Sequence, residues 1–411
     1  MSGACRAVAT VVPAPRVAVR ACAATLLAVV VALAVAPVST LAAKRAVPRT
    51  FFGMYWGDGI ERATPRVQDA AWNLMSRSGV ETARVLFNWS LMQPERAGAI
   101  DFTATDAVVA RAARTGIEIL PVVMYAPAWA RSSGEIAAPP RDNEAYAAFL
   151  HALIARYGRF GSFWRDHPQL PRRPIRYWQI WNEPTLTFQW AAPPGSEYAF
   201  PGGYVRLLRV AHRAVRSADS WARVVLAGLT FKAWEDLARV YRAGARGLFD
   251  VVAVQTYTGR PENLVLALRK VRKVMARHGD GKLALWVTET GWPAARGRVP
   301  VPSYQRPFVT DDRRAPAIVV RVHSLLARAA RDRTVRVARV YWYSWVSRFS
   351  DPDNVFDYAG LLAWNPPASF VRKPVWRAYV RLVRKLTGCV RNTDGSCRRA
   401  RTARRGGTRS R

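Results

Sequence analysis

Residues 175–184 read IRYWQIWNEP, and residues 282–292 read KLALWVTETGW. In each, aromatic and β-branched residues run up to a carboxylate, Glu183 in the first and Glu289 in the second. A short apolar run that stops on polar residues is the pattern of a buried strand. Here each such strand carries an acid to the rim of its sheet. A fold that places two such strands in one sheet can bring both acids to a single bond.

Six further stretches share this composition, at 51–57, 82–90, 117–127, 222–230, 250–259 and 336–347. Between them, 65–78, 104–115, 143–157, 203–217, 233–243, 261–278 and 315–331 carry apolar residues at helical spacing. Pro65 suits a first helical turn, and Gly79 and Gly116 suit helix stops. Strand and helix alternating in this way predict an α/β fold with a parallel sheet. Eight strands can close into a (β/α)8 TIM barrel, whose working groups sit at the C-terminal strand ends. The competing arrangement, an open doubly wound sheet, needs a glycine-rich phosphate loop after its first strand. Residues 57–61 supply only GDGIE.

These elements fill one domain, 44–386. Before it, 1–43 carries Arg6, Arg16 and Arg20 and then the apolar run ACAATLLAVVVALAVA at 21–36. Basic residues, a short apolar stretch and small residues after it read as a secretory signal. A membrane span needs about 20 apolar residues, so membrane attachment is expected only if this segment is retained. Either outcome puts the body outside the cytoplasm, secreted or associated with the cell envelope. After 386 the apolar period fails, and 387–411 reads as a disordered basic tail. Its charge suits anionic envelope polymers, or bulk solvent alone. Cys389 and Cys397 lie close enough in sequence for a small disulfide loop in an exported protein.

The chain has 411 residues and a formal charge of +35, from 63 Lys and Arg against 28 Asp and Glu. The excess is spread along the sequence with no basic stripe of interleaved aromatics, so no nucleic-acid partner is expected. No histidine or cysteine spacing matches a metal site, and no cofactor is expected. Sixteen tryptophans serve equally as core or as sugar-stacking surface. Trp56, Trp89 and Trp129, near strand ends, are candidates to line subsites. Trp181, Trp286 and Trp342 are read as packing.

Cleaving a glycosidic bond takes a proton for the leaving oxygen and stabilisation of an oxocarbenium-like transition state, and two carboxyl groups supply both. One must stay protonated and the other ionised. Glu183 and Glu289, on the fourth and seventh strands, meet that requirement if they face one cleft.

WNEP at 181–184 and TETGW at 288–292 resemble the retaining β-glycoside hydrolases of clan A, nearest to the family 39 and family 5 group. RVLFNWSLMQPERAG at 84–98, YAPAW at 125–129, with Tyr125 at its start, and YWYSW at 341–345 extend the resemblance over roughly 51–385. The resemblance implies hydrolysis of a carbohydrate substrate, expected to be a β-linked oligo- or polysaccharide, with Glu183 as acid/base and Glu289 as nucleophile. It implies that Asn182 bonds the sugar 2-hydroxyl, Arg84 keeps the nucleophile ionised, Tyr257 donates to Glu289, and Trp345 forms the floor under the sugar. Where the family often has His-x-Tyr on strand six, this chain has Gln255-Thr256-Tyr257. Glutamine hydrogen-bonds but carries no proton. Two alternatives therefore stand beside hydrolysis: an envelope carbohydrate-binding protein with impaired turnover, and a transglycosidase using the same intermediate.

Overall fold

The computed structural model describes residues 45–399 apart from 58, 97, 350, 352 and 366–368. Its centre is a closed barrel of eight parallel strands in chain order. These are β1 (Phe52–Trp56), β2 (Thr82–Asn88), β3 (Glu118–Met124), β4 (Tyr177–Ile180), β5 (Arg223–Val225), β6 (Val251–Gln255), β7 (Ala284–Thr290) and β8 (Val337–Trp342), with β8 returning to pair with β1. Eight principal helices surround them: α1 (Pro65–Arg77), α2 (Thr103–Thr115), α3 (Asn143–Tyr157), α4 (Gly202–Ala218), α5 (Ala233–Arg242), α6 (Pro261–Arg277), α7 (Ala315–Arg331) and α8 (Pro374–Thr387). Strands covered on the outside by helices and on the inside by each other are apolar throughout rather than alternating. This is why the sequence shows unbroken hydrophobic runs.

The barrel interior is filled in layers. Leu120, Val225, Val251, Ala253, Trp286 and Tyr341 plug its lower part. Arg84 and Gln179 occupy the level above, joined by a 2.8 Å bond from Arg84 Nε to Gln179 Oε1. The strand ends carrying Glu183 and Glu289 lie above that. A packed base and a polar middle leave the mouth as the only open end of the barrel among the described residues.

Three features depart from the sequence reading. The stretch 222–230 yields only a short β5, because the chain after Val225 bows around Gln255. A Cβ on Gly228 would lie 2.4 Å from Gln255 Nε2, so glycine makes the space that Gln255 fills. Next, α8 was not anticipated, although Val375, Ala378, Tyr379, Leu382 and Val383 give it a regular buried face. Its apolar stripe is interleaved with arginines that mask it in composition.

The third departure concerns the segment read as a disordered tail. After β9 (Val346–Ser347), β10 (Leu362–Asn365) and β11 (Ser369–Arg372), which form a small sheet beyond the barrel, the described residues end in a hairpin of β12 (Cys389–Arg391) and β13 (Cys397–Arg399). Cys389 and Cys397 are disulfide-bonded across it. Arg391 donates to the Gly116 carbonyl at 3.0 Å and Ser76 donates to the Asn392 carbonyl at 3.0 Å. A covalent tie and these backbone contacts fix a segment whose composition carries no apolar signal. The expected export segment and the last part of the basic tail, 400–411, lie outside the described residues. No helix among the described residues is long and apolar enough to cross a membrane.

Candidate active site

β4 ends at Ile180, and the next three residues turn sharply. Trp181 and Glu183 have φ of 67° and 44°, a region that non-glycine residues enter at a cost of about 1–3 kcal/mol each. The surroundings hold them there. Trp181 is buried, its backbone N–H donates to the Val123 carbonyl at 3.1 Å, and its indole donates to the Gln189 carbonyl at 2.7 Å. The turn lifts Asn182 and Glu183 into a cavity of about 330 Å³ at the barrel mouth.

Glu289 reaches the same cavity by a break in strand alternation. Trp286 points into the barrel, and Glu289, three residues on, also faces inward. Strict alternation allows only even intervals. The ladder shifts register between Val287 and Thr290 on the β8 side and between Val254 and Gln255 on the β6 side. Irregularities of this kind re-aim a side chain.

Three donors converge on Glu289. Arg84 Nη1 lies 2.5 Å and Gln255 Nε2 3.1 Å from Oε1, and the Tyr257 hydroxyl lies 3.0 Å from Oε2. Arg84 is 2 % exposed, so this ion pair is shielded from water. Asn182 Oδ1 accepts from Arg84 Nη2 and from Gln255 Nε2, both at 2.7 Å. That fixes the amide orientation and leaves Asn182 Nδ2 to donate into the cavity. Glu183 lies in the same cavity wall with no comparable set of donors among the described residues. Burial pushes its carboxyl well above the usual range, the charge of Glu289 pushes it further, and Arg84 opposes both. Tyr125 and Tyr257 are raised as well, first by burial and then by the two glutamates, and stay neutral donors.

The arrangement is thus one carboxylate held by three donors and one carboxyl biased toward keeping its proton, in a shared cavity. Among the described residues no group of three or more His, Cys, Asp or Glu side chains is placed to hold a metal ion.

No protein-family model matches the sequence, and no curated protein matches it. Solved structures do match. A family 39 glycoside hydrolase from Bacteroides cellulosilyticus superposes with a TM-score of 0.63 at 18% identity, over 84% of this chain and 65% of that one. The fold is the one seen in family 39 glycoside hydrolases. A monomeric β-xylosidase from Caulobacter crescentus gives 0.56 at 21% identity, over 82% and 69% of the two chains. A family 53 catalytic domain from Ignisphaera aggregans gives 0.55 at 16%, over 82% and 96%. The chain spans slightly less than two thirds of the first of these. At such identities the likeness is one of fold.

Of the residues singled out in the sequence, Glu183, Glu289, Asn182, Arg84, Tyr257, Gln255 and Tyr125 line the cavity. Trp345 does not. It is buried in the core, and the residue facing the cavity from this strand end is Tyr343, stacked on Tyr55 with ring centroids 4.7 Å apart. Reading 336–347 as one strand carries the alternation too far. β8 stops at Trp342, and the chain turns through Ser344 toward β9. Trp56, Trp89 and Trp129 also stay away from the cavity. The first two are buried, and Trp129 packs edge-on against Trp89. Tyr55 and Tyr343 were missed because many aromatics sit at strand ends, and composition does not say which of them face inward.

This correction gives a test. Tyr343→Ala should lower kcat/KM by about tenfold or more with little change in melting temperature. Trp345→Ala should cost about 3–5 kcal/mol of stability, as large-to-small changes in a packed core do. Chemical denaturation alongside kinetics on both variants separates the roles.

The two glutamates should also differ in stability. Glu183 binds its proton more tightly folded than unfolded. Its stability contribution is therefore full below the unfolded value and is lost as pH rises through the raised folded value. Glu183→Gln should raise the melting temperature at pH 8 and leave it nearly unchanged at pH 4. Glu289→Gln instead strands the buried Arg84 charge, and removing one partner of a buried pair costs about 3–5 kcal/mol. Opposite shifts at pH 8, read by calorimetry, are expected.

Proposed function

We propose that this protein hydrolyses O-glycosidic bonds in β-linked glycosides by a retaining double displacement, outside the cytoplasm. The observation that carries the proposal is the contrast between the two carboxyl groups. Glu289, held by Arg84, Gln255 and Tyr257, is an oriented anion suited to attack the anomeric carbon. Glu183, raised by burial, is suited to protonate the leaving oxygen and then to deprotonate the incoming water. Asn182 Nδ2 would donate to the sugar 2-hydroxyl and so turn the hydroxyl's own proton toward the Glu289 carboxylate, a bond that tightens as positive charge builds on the ring.

The carbohydrate-binding alternative drew on Gln255 as a sign of impaired turnover. Its amide nitrogen donates to both Asn182 and Glu289. The orienting work of that position needs a donor rather than a titrating proton, which favours an active enzyme. The test is a panel of aryl β-glycosides with the anomer of the first-formed sugar read by NMR. The β-anomer is expected. An α-anomer would replace retention by inversion, and inertness across the panel would remove hydrolysis. Added acceptor sugars in the same experiment would expose transfer.

A further inference from the structure

The cavity changes character along its length. Its floor is polar and charged. Toward the opening it is lined by Leu186, Phe188, Phe231, Tyr304, Phe308 and Phe356, and by none of the sixteen tryptophans. Phe188, Phe231 and Tyr304 are 68%, 64% and 69% exposed. Large aromatics held open to water around a cleft mark a surface that is covered in use.

The position of two of them relative to Glu183 identifies the part of the substrate they would meet. The Leu186 N–H donates to the Glu183 carbonyl at 2.9 Å. The chain therefore turns back at once and keeps Leu186 and Phe188 beside the acid. The Thr185 and Thr230 hydroxyls lie 3.3 Å apart, which ties in the loop after β5 and brings Phe231 alongside. The leaving oxygen must approach Glu183 to take its proton. Whatever that oxygen carries then extends over Leu186, Phe188 and Phe231. A sugar there would bring several hydroxyl groups that lose water and need partners. The polar side chains on this wall are Gln189 and Thr230, with Tyr304 and Gln305 elsewhere in the cavity lining. Thr230 is already engaged with Thr185. That leaves Gln189, whose Oε1 is buried without a partner among the described residues, as one acceptor beside the acid for the several hydroxyls of a sugar. An apolar group needs no such partners.

We propose that the leaving-group half of the cleft takes an alkyl or aryl aglycone, so that the substrate is a β-glycoside of an apolar alcohol or phenol rather than an internal linkage of a polysaccharide. This rests on the assignment of Glu183 as the acid. The bond broken is that between the anomeric carbon and the aglycone oxygen. That oxygen takes the proton of Glu183, and water supplies the hydroxyl that completes the free sugar.

The test uses the full chain and one sugar, presented as methyl, butyl and octyl β-glycosides below their micelle-forming concentrations and as a β-linked disaccharide. kcat/KM should rise by about 10- to 100-fold from methyl to octyl, and the octyl glycoside should exceed the disaccharide. Phe188→Ser combined with Phe231→Ser should bring the octyl value to within a few-fold of the methyl value. Both side chains are exposed, and an unchanged melting curve checks the fold. Equal rates for methyl and octyl glycosides, or preference for the disaccharide, would overturn the proposal while leaving hydrolysis intact. Calorimetric binding of the same compounds covers the opposite case. Affinity that grows with chain length in a protein that cleaves none of them supports the apolar site and removes the hydrolytic reading. A long-chain glycoside held in phosphatidylcholine vesicles, compared with monomeric octyl glycoside, separates a lipid substrate from a soluble one.

Discussion

Replacing Glu289 with alanine is expected to lower turnover by a factor on the order of 10⁴–10⁶, as loss of a covalent nucleophile does. The side chain removed is the one that Arg84, Gln255 and Tyr257 all address. Its loss leaves a small anion-sized gap beside a buried guanidinium, a favourable seat for azide. Azide bound there would attack the anomeric carbon directly. The product would be the α-glycosyl azide, inverted relative to a β-glycoside substrate. NMR of the azide adduct therefore reads the role of Glu289 independently of the rate. Nearly full activity of the variant would remove this glutamate from the mechanism.

Replacing Glu183 with glutamine is expected to lower kcat/KM by about 10²–10⁴ for substrates whose leaving group needs a proton. Dinitrophenyl glycosides, whose leaving oxygen departs unprotonated, should lose much less in glycosylation. The pH profile gives a second reading. The acid must enter the reaction protonated, so activity of the unmodified protein should fall as pH rises through the elevated value for Glu183. Glutamine does not titrate, and that alkaline limb should disappear. Azide added to this variant would meet an intact glycosyl-enzyme and give the β-glycosyl azide, the opposite anomer to that from Glu289→Ala. The pair of products assigns both roles in one experiment.

Much of this site was legible in the sequence because it is built on strands. Buried parallel strands are largely apolar runs, so Arg84 within β2 and the carboxylates after β4 and within β7 stand out as charged residues in a mostly apolar setting. A charge inside such a run implies a partner, and the chain supplied the candidates. What strand patterns do not encode is where a strand stops. Trp345 and Tyr343 differ by two residues and would share a face if β8 continued. The chain instead leaves the barrel after Trp342, and only Tyr343 meets the cavity. Gly228 is a similar case. A lone glycine after a valine run reads as a break, and its purpose, room for Gln255, depends on a neighbour that is remote in sequence.

The mouth was the least legible part. Phe188, Phe231 and Tyr304 sit in connections without period, so nothing in the sequence sets their direction. Their placement follows from contacts such as Thr185 with Thr230, which form only once β4 and β5 are adjacent. The C-terminal hairpin shows the same limit. Its polar residues read as a tail; the spacing of Cys389 and Cys397 suggests their disulfide, but the anchoring of Arg391 on Gly116 is tertiary information.

The claim on which the rest depends is that Glu289 forms the bond to sugar while Glu183 manages the proton. A 2-deoxy-2-fluoro β-glycoside with a dinitrophenyl leaving group slows both displacements and lets the covalent intermediate accumulate. With the sugar that the aryl panel selects, mass spectrometry of the digested protein should find one fluorosugar on the peptide containing Glu289. Attachment to Glu183 or to any other residue would contradict the account, as would turnover of the parent glycoside with no mass added to the protein.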